Sequence, residues 1–134
     1  MVNKYPKGEA TRLTDNFLSK DFDCKCHYPF CTYTLVDTKL VESLDALCDK
    51  FGKISINSGF RCSVHNHEVG GKAGSVHMLG KAADVKSLFA SVTEIYYAAV
   101  KIQNFLDGGI GIYSNFIHLD VRGYKARWGN HEGE

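Results

Sequence analysis

The chain has 134 residues, 44% of them hydrophobic and 12% aromatic, which is enough apolar material for a buried core and too much for a disordered segment. Lys plus Arg number 16 against 15 Asp plus Glu, with no run of like charge, so a nucleic-acid-binding face is not expected. No apolar stretch approaches a membrane span, and residues 1–14 lack the apolar core of a signal peptide, so we expect one domain, monomeric and made in the cytoplasm.

Residues 1–23 read as an irregular arm with weak helical content, and residues 24–36 as a Cys-rich loop. Asp37 is placed to cap a helix whose Leu40, Val41, Leu44, Leu47 and Phe51 share one face, with Gly52 ending it. Ile54–Ser58 alternates apolar and polar residues and predicts a strand. Residues 59–80, rich in Gly, Ser, His and Asn, predict a long loop with one helical turn around 63–69; loops of that length in small domains are usually functional. Residues 82–85 predict a short buried strand. Ser91 with Glu94 forms a capping-box pattern opening a helix over 92–106, which Gly108 and Gly109 stop. Residues 110–113 and 116–121 predict two strands joined by a tight hairpin at Ser114 and Asn115, and 129–134 a polar tail. This order predicts an α+β fold, a small antiparallel sheet with helices packed on one face.

Two stretches carry the chemistry. In residues 75–84, His77 sits on a predicted loop and Asp84 on the strand that follows, with Gly80 supplying the turn between them and Ala82 and Ala83 letting the strand run deep. A carboxylate buried there needs a cation or hydrogen-bond donors. In residues 116–122 the two-residue period puts His118, Asp120 and Arg122 on one face and Ile117, Leu119 and Val121 on the other. His77, Asp84 and His118 offer three corners of a zinc tetrahedron with the fourth open to water, the arrangement of catalytic rather than structural zinc.

Five ordered pieces resemble the zinc D-alanyl-D-alanine carboxypeptidase family, whose fold is shared with the hedgehog signalling domain. They are Ser58-Gly59-Phe60-Arg61-Cys62, His65-Asn66, Val69-Gly70-Gly71, Ser75-x-His77-x-x-Gly80-x-Ala82-x-Asp84, and residues 116–122, with Arg127-Trp128 completing the match. The resemblance implies hydrolysis of peptide bonds in peptidoglycan stem peptides or cross-links, as carboxypeptidase or as endopeptidase of the phage endolysin kind. It implies Zn2+ on His77, Asp84 and His118, Arg61 beside the substrate, and Ser75 next to the first ligand. Many members carry an acidic residue three before the last His; here that position is Asn115, which cannot act as a base.

Asp120 is therefore the first candidate for general base, two residues beyond His118 and on its face, and Glu68 on the long loop is the second. The plainer role for Asp120 is to pair with Arg122 or to orient His118. Arg61 would hold a substrate carboxylate or steady the oxyanion, and Trp128 is placed to line the cleft. Peptidoglycan or a soluble muropeptide is the expected partner, and the cell wall the place of action if the protein is an endolysin. Two rivals stand beside this reading. A non-catalytic zinc-containing module of the same fold would show a lost ligand, and none is lost. An iron oxygenase triad of His118, Asp120 and a distal His131 would hold iron instead. Cys24, Cys26, Cys31 and Cys62 are expected as a disulfide, a small metal site or free thiols, and Cys48, at helical spacing between Leu44 and Phe51, as core.

Overall fold

The structure, a computed structural model, describes residues 1–129, so His131 and the rest of the tail lie outside the described residues. Five strands form one sheet in the order β3-β4-β6-β5-β7: Ile54–Ser58 (β3), Ala82–Ser87 (β4), Gly109–Ile112 (β5), Ile117–Asp120 (β6) and Ala126–Gly129 (β7). All neighbours are antiparallel except β5 and β7, which run parallel. The α+β expectation holds, with β7 as an unpredicted addition. The predicted hairpin is present, since Tyr113 and Phe116 close a loop of Ser114 and Asn115 between β5 and β6.

One sheet face is core. Ala83 and Val85 of β4, Ile110 of β5, and Ile117 and Leu119 of β6 are buried there against Leu40, Leu44 and Leu47 of helix α1 (Thr38–Phe51). Each fully buried Ile, Leu or Val adds about 1.5–3 kcal/mol of hydrophobic stabilisation. Cys48 joins this cluster, as its helical position predicts. By the strand alternation the opposite face carries Asp84, His118, Asp120 and Gly111.

The N-terminal residues are not the irregular arm the sequence suggests. Val2–Pro6 (β1) pairs antiparallel with Tyr33–Asp37 (β2), so the predicted Cys-rich loop ends in a strand. β1 alternates only between exposed and half-buried residues, and so shows no apolar period for a sequence reading to find. The long loop contains helix α2 (Ser63–Glu68) and a 3-10 turn (Val76–Leu79). The helix predicted over 92–106 is two pieces, α3 (Val92–Ala99) and α4 (Gln103–Leu106), broken at an extended Ile102. On a continuous helix Leu106 would follow the Ile95–Ala99 stripe and Phe105 would point about 80° away from it. The break turns Phe105 into the core, where it is fully buried, so packing of the larger side chain overrides local helix propensity. The capping box at Ser91 and Glu94 forms as predicted.

Asp37 does more than cap α1. Its Oδ1 accepts the Lys39 N–H at 2.9 Å and its Oδ2 the Lys81 ammonium at 2.6 Å, with the side chain 2% exposed. Burial pushes this carboxyl up, but Lys81 and the Lys39 N–H outweigh it and hold it below its ordinary value. A depressed carboxylate contributes stability above its unfolded pKa, about 3.9, and that contribution is lost as pH falls through the folded value. Asp37→Asn keeps the cap and removes the charge. It is expected to cost about 1.5–3 kcal/mol at neutral pH, with the gap from wild type closing below about pH 4. Urea midpoints at several pH values measure this, and a gap independent of pH would refute the ion-pair account.

Candidate metal centre and cleft

β4 and β6 are paired with Asp84 opposite His118, and directly opposed side chains leave a sheet on the same face. The register alone thus brings Asp84 Oδ1 to 3.1 Å from His118 Nδ1. His77 arrives from the 3-10 turn, where Ser75 Oγ accepts its N–H at 3.2 Å and Gly80 closes the turn at φ 74°. A Cβ on Gly80 would stand 2.6 Å from the Leu35 backbone, so conformation and space both require glycine. His77 Nε2 lies 3.3 Å from the same Asp84 oxygen. One atom from each of the three side chains falls within 4.8 Å of the others, and all three residues are buried.

The outer ring nitrogens are occupied. His77 Nδ1–H donates to the Gly59 carbonyl at 2.8 Å, and His118 Nε2–H donates to Asp120 Oδ2 at 2.7 Å. With an ion bound, each of these bonds would keep the proton on the outer nitrogen and leave the inner nitrogen as ligand, the arrangement metal-ligating histidines show. Burial pushes Asp84 up, but hydrogen bonds to His118 and His77 hold it well below the carboxylate range. Burial draws His118 down, but Asp120 and Asp84 beside it raise its pKa. A divalent cation would take the place of the proton these groups share, and the two-nitrogen, one-oxygen donor set suits it.

Asp120 lies on the other side of His118. It is completely buried, and its Oδ1 accepts the Gly109 N–H at 2.8 Å and the Arg122 N–H at 3.1 Å. The Arg122 guanidinium binds both its oxygens. His118 thus turns Nε2 to Asp120 and Nδ1 to Asp84, on opposite sides of its ring; His131, the third member of the iron-oxygenase triad, lies outside the described residues. Glu68 accepts a hydrogen bond from the Tyr28 hydroxyl and is not among the residues lining the cleft.

A family model described as Peptidase M15 matches residues 15–120, from the segment before α1 to the end of β6. The chain belongs to the peptidase M15 family. No curated protein matches it.

In this M15 peptidase the candidate ligand group opens into a cleft of roughly 670 Å³, walled also by Arg61, Ser75, Tyr113 and Trp128. Arg61 is held on three sides: Nη2 to Asp84 Oδ2 at 3.2 Å, Nε to Ser58 Oγ at 3.1 Å, and Nη1 to Asn66 Oδ1 at 3.3 Å. Asn66 is itself buried and donates to the Lys72 carbonyl at 2.8 Å, tying Arg61 to the loop. In the sequence Asn66 stands out only within the His65-Asn66 piece of the resemblance, and nothing in its spacing shows that its amide holds Arg61. Trp128 reaches the site through a vacancy in β5. Gly111 is paired with His118 on one side and Trp128 on the other, and a Cβ there would lie 2.2 Å from the indole. The indole crosses that gap to stand 4.9 Å from the His118 ring, and its N–H donates to the Tyr113 hydroxyl at 2.9 Å. Neither Arg122 nor Trp128 falls inside the matched segment.

Proposed function

We propose that this M15 peptidase is a zinc-dependent hydrolase of peptide bonds in bacterial peptidoglycan, with residues 1–134 acting as one catalytic domain and His77, Asp84 and His118 holding the ion. The observation that carries this reading is a pair of histidines, each anchored at its outer nitrogen, whose inner nitrogens converge with one buried carboxylate oxygen on an open cleft wall. Zinc held there would supply Lewis-acid polarisation of a scissile carbonyl and acidify water for attack at neutral pH.

The chain's own residues supply the rest. Arg61 presents a guanidinium fixed by Ser58, Asn66 and Asp84, so it receives a substrate carboxylate or carbonyl oxygen with little reordering. Lys72 and Arg122 add positive charge to the same cleft, which suits stem peptides rich in carboxylates. Ser75 holds the turn that presents His77, so its part is positioning rather than direct contact. We assign Asp120 likewise as a positioning residue: a carboxylate sealed behind His118 fixes that ring and cannot receive a proton from the cleft.

Intact wall and soluble muropeptides correspond to a phage endolysin and to a recycling enzyme. Both substrates are to be digested with zinc-loaded protein and the products read by mass spectrometry. New termini within stem peptides or cross-links are expected, lost on chelation and regained with zinc. The substrate cleaved faster assigns the setting, and the new terminus identifies the bond. No new terminus on either substrate would leave a binding module in place of an enzyme.

A further inference from the structure

A second constellation lies apart from the donor set of the cleft. Cys24 and Cys26 follow the short 3-10 helix Ser19–Phe22, Cys31 precedes β2, and Cys62 caps α2. Their four sulfurs all lie within 4.8 Å of one another, and Cys24, Cys26 and Cys31 are buried. Cys24 Sγ stands 3.8 Å from Cys62 Sγ, and Cys62 Sγ 3.9 Å from Cys26 Sγ. Four sulfurs about 2.3 Å from a tetrahedral ion are about 3.8 Å apart along each edge, whereas a disulfide brings two sulfurs to about 2.05 Å. The two edges at 3.8 and 3.9 Å match those of such a tetrahedron, and none of the four cysteines is in a disulfide.

Burial pushes the Cys24 and Cys31 thiols up, so an ion is needed to hold them as thiolates, and donors already reach Cys24, Cys26 and Cys62. The Cys62 N–H points at Cys24 Sγ at 3.4 Å and the His65 N–H at Cys62 Sγ at 3.5 Å. Lys7 reaches in from beyond β1, placing its ammonium 3.4 Å from Cys26 Sγ and 3.1 Å from the Cys26 carbonyl. Four thiolates around a divalent ion carry a net charge of −2, and a buried anion of that size needs such donors and a cation beside it. Phe60, Tyr28 and Leu35 pack around the sulfurs, and four cysteine donors would fill all four corners of a tetrahedral ion, the mark of a structural site.

We propose that Cys24, Cys26, Cys31 and Cys62 bind a structural Zn2+ as a tetrathiolate, separate from the ion of the cleft. Binding converts four thiols to thiolates and releases their protons to solvent. The ion pins the segment 24–31 to the start of α2, next to Arg61. In a chain whose first layer is only the two-stranded β1–β2 sheet, it staples that layer to the wall of the cleft.

The test uses the full chain purified under reducing conditions and reloaded with cobalt(II). Tetrathiolate cobalt gives an intense sulfur-to-metal charge-transfer absorption that the His77, Asp84 and His118 donors cannot produce. The band is expected in wild type and in His77→Ala, so its presence is independent of the catalytic reading. It is expected to vanish in Cys26→Ser/Cys31→Ser, together with about one equivalent of zinc per chain. Should that variant not fold, titration of folded wild type and His77→Ala with a mercurial is expected to release about one equivalent of zinc from each. Absence of the band in wild type, no zinc released by the mercurial, fewer than five titratable thiols in the unfolded, unreduced, chelated chain, or iron in place of zinc would each overturn the proposal.

Discussion

His77→Ala is expected to lower kcat/KM on peptidoglycan by several orders of magnitude and to strip zinc from the cleft. The imidazole is one of three inward donors, and neither partner can compensate for its loss: Asp84 is already shared with Arg61 and His118. Alanine also orphans the Gly59 carbonyl, at a cost of about 1–3 kcal/mol, so circular dichroism and thermal unfolding must accompany the assay. Elemental analysis gives the decisive number. A folded variant that kept both its full zinc content and its turnover would sink the assignment of His77, whereas loss of both, with the cobalt–thiolate band intact, separates the cleft from the cysteine site.

Asp120→Asn has the second-largest expected effect, and its form matters more than its size. The amide still accepts from the Gly109 and Arg122 N–H groups but turns the charge off at His118 Nε2. The ring then loses the acceptor that holds its tautomer, and zinc affinity should drop about 10–100-fold. At saturating zinc most of the turnover should return, because the change is in occupancy. If kcat instead stayed down by orders of magnitude with zinc fully bound and its affinity unchanged, the positioning role would be wrong and a proton-transferring role would be required. A zinc titration of activity, run for both proteins, makes the distinction.

The contrast between Asp84 and Asp120 shows where sequence reasoning stops. Strand period placed His118 and Asp120 on one face, and the structure keeps them there. Period says nothing about which ring nitrogen a carboxylate meets, and that choice separates a base facing the cleft from a buried support behind the ring. That His77 and Asp84 would meet was legible from the motif that carries the family resemblance, with the Gly80 turn and the small Ala82 and Ala83 in keeping with it; a His on a loop is by itself as readily a solvated one. α1 was legible end to end because cap, apolar stripe and terminating glycine agree. β1 and β7 were not, since each takes its conformation from a neighbour in the sheet rather than from its own pattern of apolar residues. The interruption between α3 and α4 was hidden for a related reason. No Gly or Pro marks it, and only the burial of Phe105 calls for it.

Trp128 is the chain's single tryptophan, and the bare backbone of Gly111 lets its indole lie beside the His118 ring. All of the protein's indole emission therefore originates a few ångströms from a candidate metal ligand. A neighbouring imidazole quenches indole more strongly when it carries a proton than when its nitrogen is bound to an ion, so the fluorescence of the unlabelled protein is a native optical gauge of the cleft. Filling, emptying or covering that site can be followed in real time without attaching a dye, and the cysteine cluster contains no indole of its own.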